Sequence, residues 1–191
     1  MSAQSLISLA LGLALSAACG FRIFVPLLAI SLAARHDYVQ LSSGFSWMAS
    51  DAALIVFATA TVLEVCAYYV PWLDNFLDAA ATPAAMLAGI VASASVFVEL
   101  PPLVKWSAAL IGGAGAAGFV QGATVLLRIK SLATTGGAGN PVVSTAELAG
   151  STATSMLAIA LPIVCFTLLA LGCFFVFRQA GRLFFGHRRL G

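Results

Sequence analysis

LSAACGFRIFVPLLAI, residues 15–30, places one arginine in an otherwise apolar run. The run extends on both sides, from about residue 5 to 34, longer than the roughly 20 apolar residues that cross a bilayer. Arg22 falls near its middle, roughly 25 Å along a helix that rises about 1.5 Å per residue. Holding an arginine at that depth costs at least about 2.5–3.5 kcal/mol, so it must face protein or water and find a partner. Gly20 and Pro26 flank it and permit a break whose freed backbone groups line a cavity. The first segment is therefore expected to be a broken helix.

The whole composition agrees with a lipid environment. Of 191 residues, 61% are hydrophobic and 8% charged, and the mean hydropathy is +1.04. A soluble domain carries roughly 25% charged residues. The reading is an integral membrane protein, placed in the cell's inner (plasma) membrane. A net charge of +2 is too small to suggest nucleic-acid binding, and no nucleic-acid partner is expected. His36 and His187 lie in polar flanks, and Cys19, Cys66, Cys165 and Cys173 lie in apolar stretches without CxxC or Cys/His spacing. No metal site or cofactor is expected from them. Nor is there a Ser/His/Asp arrangement or an HExxH, so the chain does not read as an enzyme. LALSAACG (13–20) has a lipoprotein-like look, but no basic region precedes it and the apolar run continues past Cys19, so retention is expected.

Five segments qualify as spans: about 5–34, 51–71, 83–100, 103–131 and 146–178. Segments one, four and five are long enough for a kink or break, which makes a sixth crossing the alternative. Prolines 71, 83, 101, 102 and 141 punctuate the ends. Counting Lys and Arg favours an outside N-terminus and a cytoplasmic C-terminus, with Arg35, Lys105, Arg178, Arg182, Arg188 and Arg189 inside. Residues 1–178 then form one transmembrane domain, and 179–191 a basic amphipathic cytoplasmic tail. SAACGFRIFVPLLAISLAAR and GAGAAGFVQGATVLLRIKS share a pattern, matching Gly20-Phe21 to Gly118-Phe119. This suggests a duplication with units at about 5–100 and 103–178, inverted because three crossings precede the second unit.

The candidate site gathers around Arg22. Glu64, about two turns inside the end of segment two, is its expected partner, either as a permanent pair or as a carboxyl that exchanges a proton or cation. Asp74 and Asp78, four apart, share a helix face beside Asn75 and suit a cation at the membrane edge. Gly118 and Gly122 form a small-xxx-small packing face. Gln121 is the polar group of the second unit nearest the Arg22 equivalent. Tyr68, Tyr69 and Trp72 read as an interfacial belt. Glu147, Thr152, Thr154 and Ser155 read as hydrogen-bonding groups between helices.

ALSAACGFRIFVPLL, EVCAYYVPWLDNFLDAAATPAA and GGAGAAGFVQG together resemble a bacterial family of small membrane proteins known as domain of unknown function 4126. The resemblance implies no substrate or mechanism. The expected function is a small transporter or channel, moving an ion or small solute past Arg22, Glu64 and Gln121, with Asp74, Asn75 and Asp78 at the mouth. The alternative is a structural or accessory membrane protein whose Arg22–Glu64 pair fixes helix register. The expected partners are the bilayer, the solute and, in a homo-oligomer, further copies of the chain.

Overall fold

Ser2 and Ser50 each start a helix by accepting a backbone N–H three residues on, from Ser5 (3.0 Å) and Ala53 (3.2 Å). Serine is favoured at that position because it satisfies a donor the helix leaves open. The structure, a computed structural model, describes residues 2–69 and 71–185, with only the backbone described at 71–79, 177 and 180–185. It is all-α, without a strand among the described residues. The helices are α1 (Ala3–Cys19), α2 (Phe24–Arg35), α3 (Asp51–Ala67), α4 (Pro71–Val96), α5 (Pro102–Thr135), α6 (Asn140–Ala160) and α7 (Pro162–Phe185). A 3-10 turn at Ser46–Ala49 precedes α3, and a π turn at Ala109–Gly113 lies within α5. By length and composition α5, with 34 residues, is long and apolar enough to cross a membrane.

The first segment is broken, as expected, but it also reverses. Helix α1 is about 25 Å long and α2 about 18 Å. The five residues after Arg35 reach at most about 18 Å. Collinear helices would therefore keep Gln40 far from Gln4, yet Gln4 Nε2 donates to Gln40 Oε1 at 3.4 Å. Helix α2 must run back beside α1. The two form a hairpin with its tip at residues 20–23.

This reversal collects several termini at one end. Ser2 Oγ donates to Glu99 at 2.9 Å, the Ser42 amide to Ser95 O at 2.7 Å, and Lys105 Nζ to the Ser42 hydroxyl. The N-terminus, Arg35 and Lys105 thus share an end, whereas a straight first span would have separated Ser2 from the other two. Helix α4 runs antiparallel to α1, with Ser16 Oγ donating to Gly89 O at 2.7 Å. At the α4–α5 crossing, a Cβ on Gly89 would come within 2.7 Å of Gly113 O, so glycine is required there. The expected packing pair behaves differently. A Cβ on Gly118 would meet only the Met86 side chain (3.2 Å), and Gly122 faces open space.

One proline reading and one span need correction. Pro83 stands inside α4, which begins at Pro71; an interior proline removes one hydrogen bond without having to end the helix. The expected fifth segment is two helices. Leu161 leaves the helix (φ −140, ψ 71) just before Pro162, where the proline ring disfavours helical backbone. Cys165 Sγ lies 3.6 Å from Thr154 O, eleven residues back, where a straight helix would separate them by about 16 Å. The chain folds back sharply there. Helix α7 then runs through residue 178 to Phe185, so the tail does not start at a helix end, and residues 186–191 lie outside the described residues. The two expected units also differ in pattern, since Gly118-Phe119 lies inside unbroken helix.

An apolar core that includes Leu15, Ile30 and Phe97 is joined by buried polar groups. Arg22, Gln121, Arg128, Glu147 and Ser151 are buried, while Ile55, Leu63, Leu126 and Phe175 are exposed. On α6 the buried positions are Ser144, Glu147, Ser151, Ser155 and Ala158, a single stripe at helical spacing made mostly of polar groups.

Candidate functional site at the hairpin tip

Close contact holds the tip in place. A Cβ on Gly20 would lie 2.5 Å from Ala117 O and 2.9 Å from the Gln121 amide nitrogen, so the tip presses on α5 backbone with no room for a side chain. Ser151 Oγ on α6 donates to Ala18 O at 3.0 Å, a carbonyl that also accepts the Phe21 and Arg22 N–H groups where α1 ends. Gln121 is buried in α5 beside this contact.

Past the tip, α2 starts without a side-chain cap of its own. Glu64, on α3, supplies the acceptors: Oε1 takes the Ile23 N–H at 2.7 Å and Oε2 the Phe24 N–H at 3.0 Å. A carboxylate suits the positive end of a helix and satisfies two of its open donors. Pro26 is buried in the first turn of α2, where its missing N–H costs nothing. It therefore helps start α2 rather than break α1.

The guanidinium of Arg22 turns the other way, toward α6. Nη2 donates to Ser144 O at 2.9 Å and to the Ser144 hydroxyl, and lies 3.6 Å from Glu147 Oε2. The expected Arg22–Glu64 pairing is thus replaced. Glu64 serves the backbone of α2, and Arg22 crosses to a carboxylate 125 positions along (147 − 22). That carboxylate is also held by Arg128, through Nε to Oε1 at 2.9 Å and through Nη2 to Oε2. Both guanidiniums stand over the Tyr68 ring, with Cζ 4.0 Å (Arg22) and 4.3 Å (Arg128) from its centroid. Such cation–ring contacts contribute about 0.5–2 kcal/mol.

Arg22 is 1% exposed, yet its Nε and Nη1 have no hydrogen-bond partner among the described residues. A buried donor left unmet costs about 1–3 kcal/mol. Beside the tip, a groove of about 480 Å³ runs between α3 and α4, lined by Ile23, Phe24, Glu64, Tyr68, Ala81 and Ala84 among others. Tyr68 is common to the groove and to the arginines. The side chains of Asp74, Asn75 and Asp78, expected at the mouth, lie outside the described residues.

Residues 9–182 match the family described as Domain of unknown function (DUF4126). The chain belongs to that family. Neither the curated proteins nor the solved structures give a match. In this DUF4126 chain the sequence reading brought Arg22, Glu64 and Gln121 to one neighbourhood but left out Ser144 and the joint role of Arg128, Glu147 and Tyr68. The available signal was the α6 stripe of Ser144, Glu147, Ser151 and Ser155, too regular for scattered polar residues. Arg128, embedded in VLLRI (125–129), repeats the anomaly of Arg22.

Proposed function

We propose that the protein is a multi-pass membrane protein that moves an ion or small solute past the charge cluster at the hairpin tip. The observation that carries this reading is Arg22, fully buried with donors unmet, in a molecule whose outer faces are apolar. Ionisable groups at such depth mark pathways because lipid offers them nothing. Irregular backbone like residues 20–23 is tolerated there only inside protein or along a cavity. In this reading α1–α2 enters and leaves on one face, and α3 to α7 supply the crossings. The N-terminus lies outside and the C-terminus in the cytoplasm, because Lys130, Arg178 and the bases beyond outnumber Arg35 and Lys105. An inverted duplication is part of the proposal, supported by the sequence match and by Gly20 meeting the Ala117–Gln121 backbone.

The structural alternative draws on the Arg128–Glu147 pair, whose two-point contact fits a helix clamp. Vesicles containing the purified protein, loaded with a pH-sensitive dye and poised with a potassium gradient, separate the two. Transport predicts flux above protein-free vesicles that Arg22→Gln abolishes. Absence of flux, together with recovery of assembly when Arg128 and Glu147 are exchanged, selects the clamp.

A further inference from the structure

We propose that the cavity at the end opposite the hairpin tip binds the headgroup of an aminophospholipid, with its phosphate on Lys105 and its ammonium on Glu99. The cavity, of about 560 Å³, lies between the α4–α5 joint and the loop at residues 41–45. Small-ligand pockets measure roughly 300–1,000 Å³. Lys105 lines the cavity and is 8% exposed. Its ammonium donates to the Ser42 hydroxyl and stands over the rings of Phe45 (4.9 Å to the centroid) and Trp106 (5.8 Å). An ammonium has three donors. One meets a neutral hydroxyl, and among the described residues no carboxylate pairs with the charge. Phosphate oxygens suit such a point charge.

Glu99 borders the same cavity without pairing with Lys105. Its backbone stands at φ 62, a left-handed conformation rare for residues with side chains. Oε2 accepts from Ser2 Oγ at 2.9 Å, and Oε1 has no hydrogen bond among the described residues. A simple anion in this cavity would face the carboxylate, and a simple cation the lysine. A ligand carrying both charges on a short link answers both. Tyr38, Trp47 and Trp106 are exposed at this end, as aromatic side chains are at headgroup level. Leu103, Leu110 and Ile111, exposed on the first turns of α5, offer an apolar surface to acyl chains, which favours a lipid over a soluble zwitterion.

This site rests on the membrane placement proposed above and not on transport. The full chain in neutral detergent is melted with dihexanoyl phosphatidylethanolamine, with phosphatidylglycerol and phosphatidylcholine of the same chain length, and with free phosphoethanolamine. Phosphatidylethanolamine at a hundredfold excess over Kd is expected to raise the melting temperature by about 5 °C. Phosphatidylglycerol, which has no ammonium, and phosphatidylcholine, whose nitrogen has no N–H for Glu99, bind about tenfold more weakly. Lys105→Gln abolishes the rise, and Glu99→Gln lowers phosphatidylethanolamine to the affinity of phosphatidylglycerol. Asp51→Asn, exposed at the same end but outside the cavity, leaves the rise intact. The proposal is overturned if phosphatidylethanolamine gives no rise, if the other two lipids stabilise as well, or if phosphoethanolamine alone binds as tightly as the lipid. A wild-type response from Glu99→Gln also overturns it, and decides the matter should Lys105→Gln not fold. Binding without vesicle flux removes transport and keeps this site; flux without lipid-dependent stabilisation does the reverse.

Discussion

Arg22 and Arg128 stand over the same tyrosine and approach the same carboxylate, but only Arg128 grips it with two bonds. Arg128 projects from the middle of regular helix in α5 and meets Glu147 squarely. Arg22 comes off a chain reversal, where the backbone has just left α1, and reaches α6 with one edge only. Regular helix thus gives a two-point ion pair, and the reversal a guanidinium that meets the carboxylate at one edge only. Inside a low-dielectric core an incompletely partnered group is costly, so the two arginines differ in what they contribute to stability.

Four substitutions break or sharpen that contrast. Glu147→Gln has the largest expected effect, because it leaves two buried guanidiniums without their shared anion. A loss of about 3–5 kcal/mol is expected, read as loss of folded protein in a detergent melting series. Gly20→Ala should follow, at about 1–3 kcal/mol, because its new methyl meets α5 backbone that has no soft atom to yield. Glu64→Gln keeps an acceptor for one N–H but loses the charge at the start of α2. It should cost about 1 kcal/mol, with faster amide exchange at Ile23 and Phe24 as the diagnostic. Gly122→Ala, facing open space in α5, should give a small gain of up to about 1 kcal/mol. A Glu147→Gln protein as stable as wild type would remove the comparison altogether.

Much of this site was legible in the chain, and what was not has identifiable causes. Arg22 announced its burial because lipid and packed protein both forbid a lone charge. Glu64 was correctly drawn to the tip, since one of the few acidic groups within apolar sequence had to be there for a reason. Its partner was misread because charge pairing is visible along a sequence, while two backbone donors at a helix start are not. The hairpin escaped notice for a similar reason. An apolar run of about thirty residues reads the same whether it crosses or doubles back, and only the Gln4–Gln40 contact decides. Pro162 did mark a helix boundary, in the same chain in which Pro83 did not, because only the former coincides with a sharp return of the chain.

The cap that Glu64 places on α2 reaches over 41 positions to Ile23, and the hold of Ser144 on Arg22 reaches over 122. Neither acceptor exists while the first thirty-five residues are being synthesised. The tip of the hairpin therefore gains these partners only after α3, and then α6, has been made. The cap on α2 can thus form before the contact that fixes the Arg22 guanidinium.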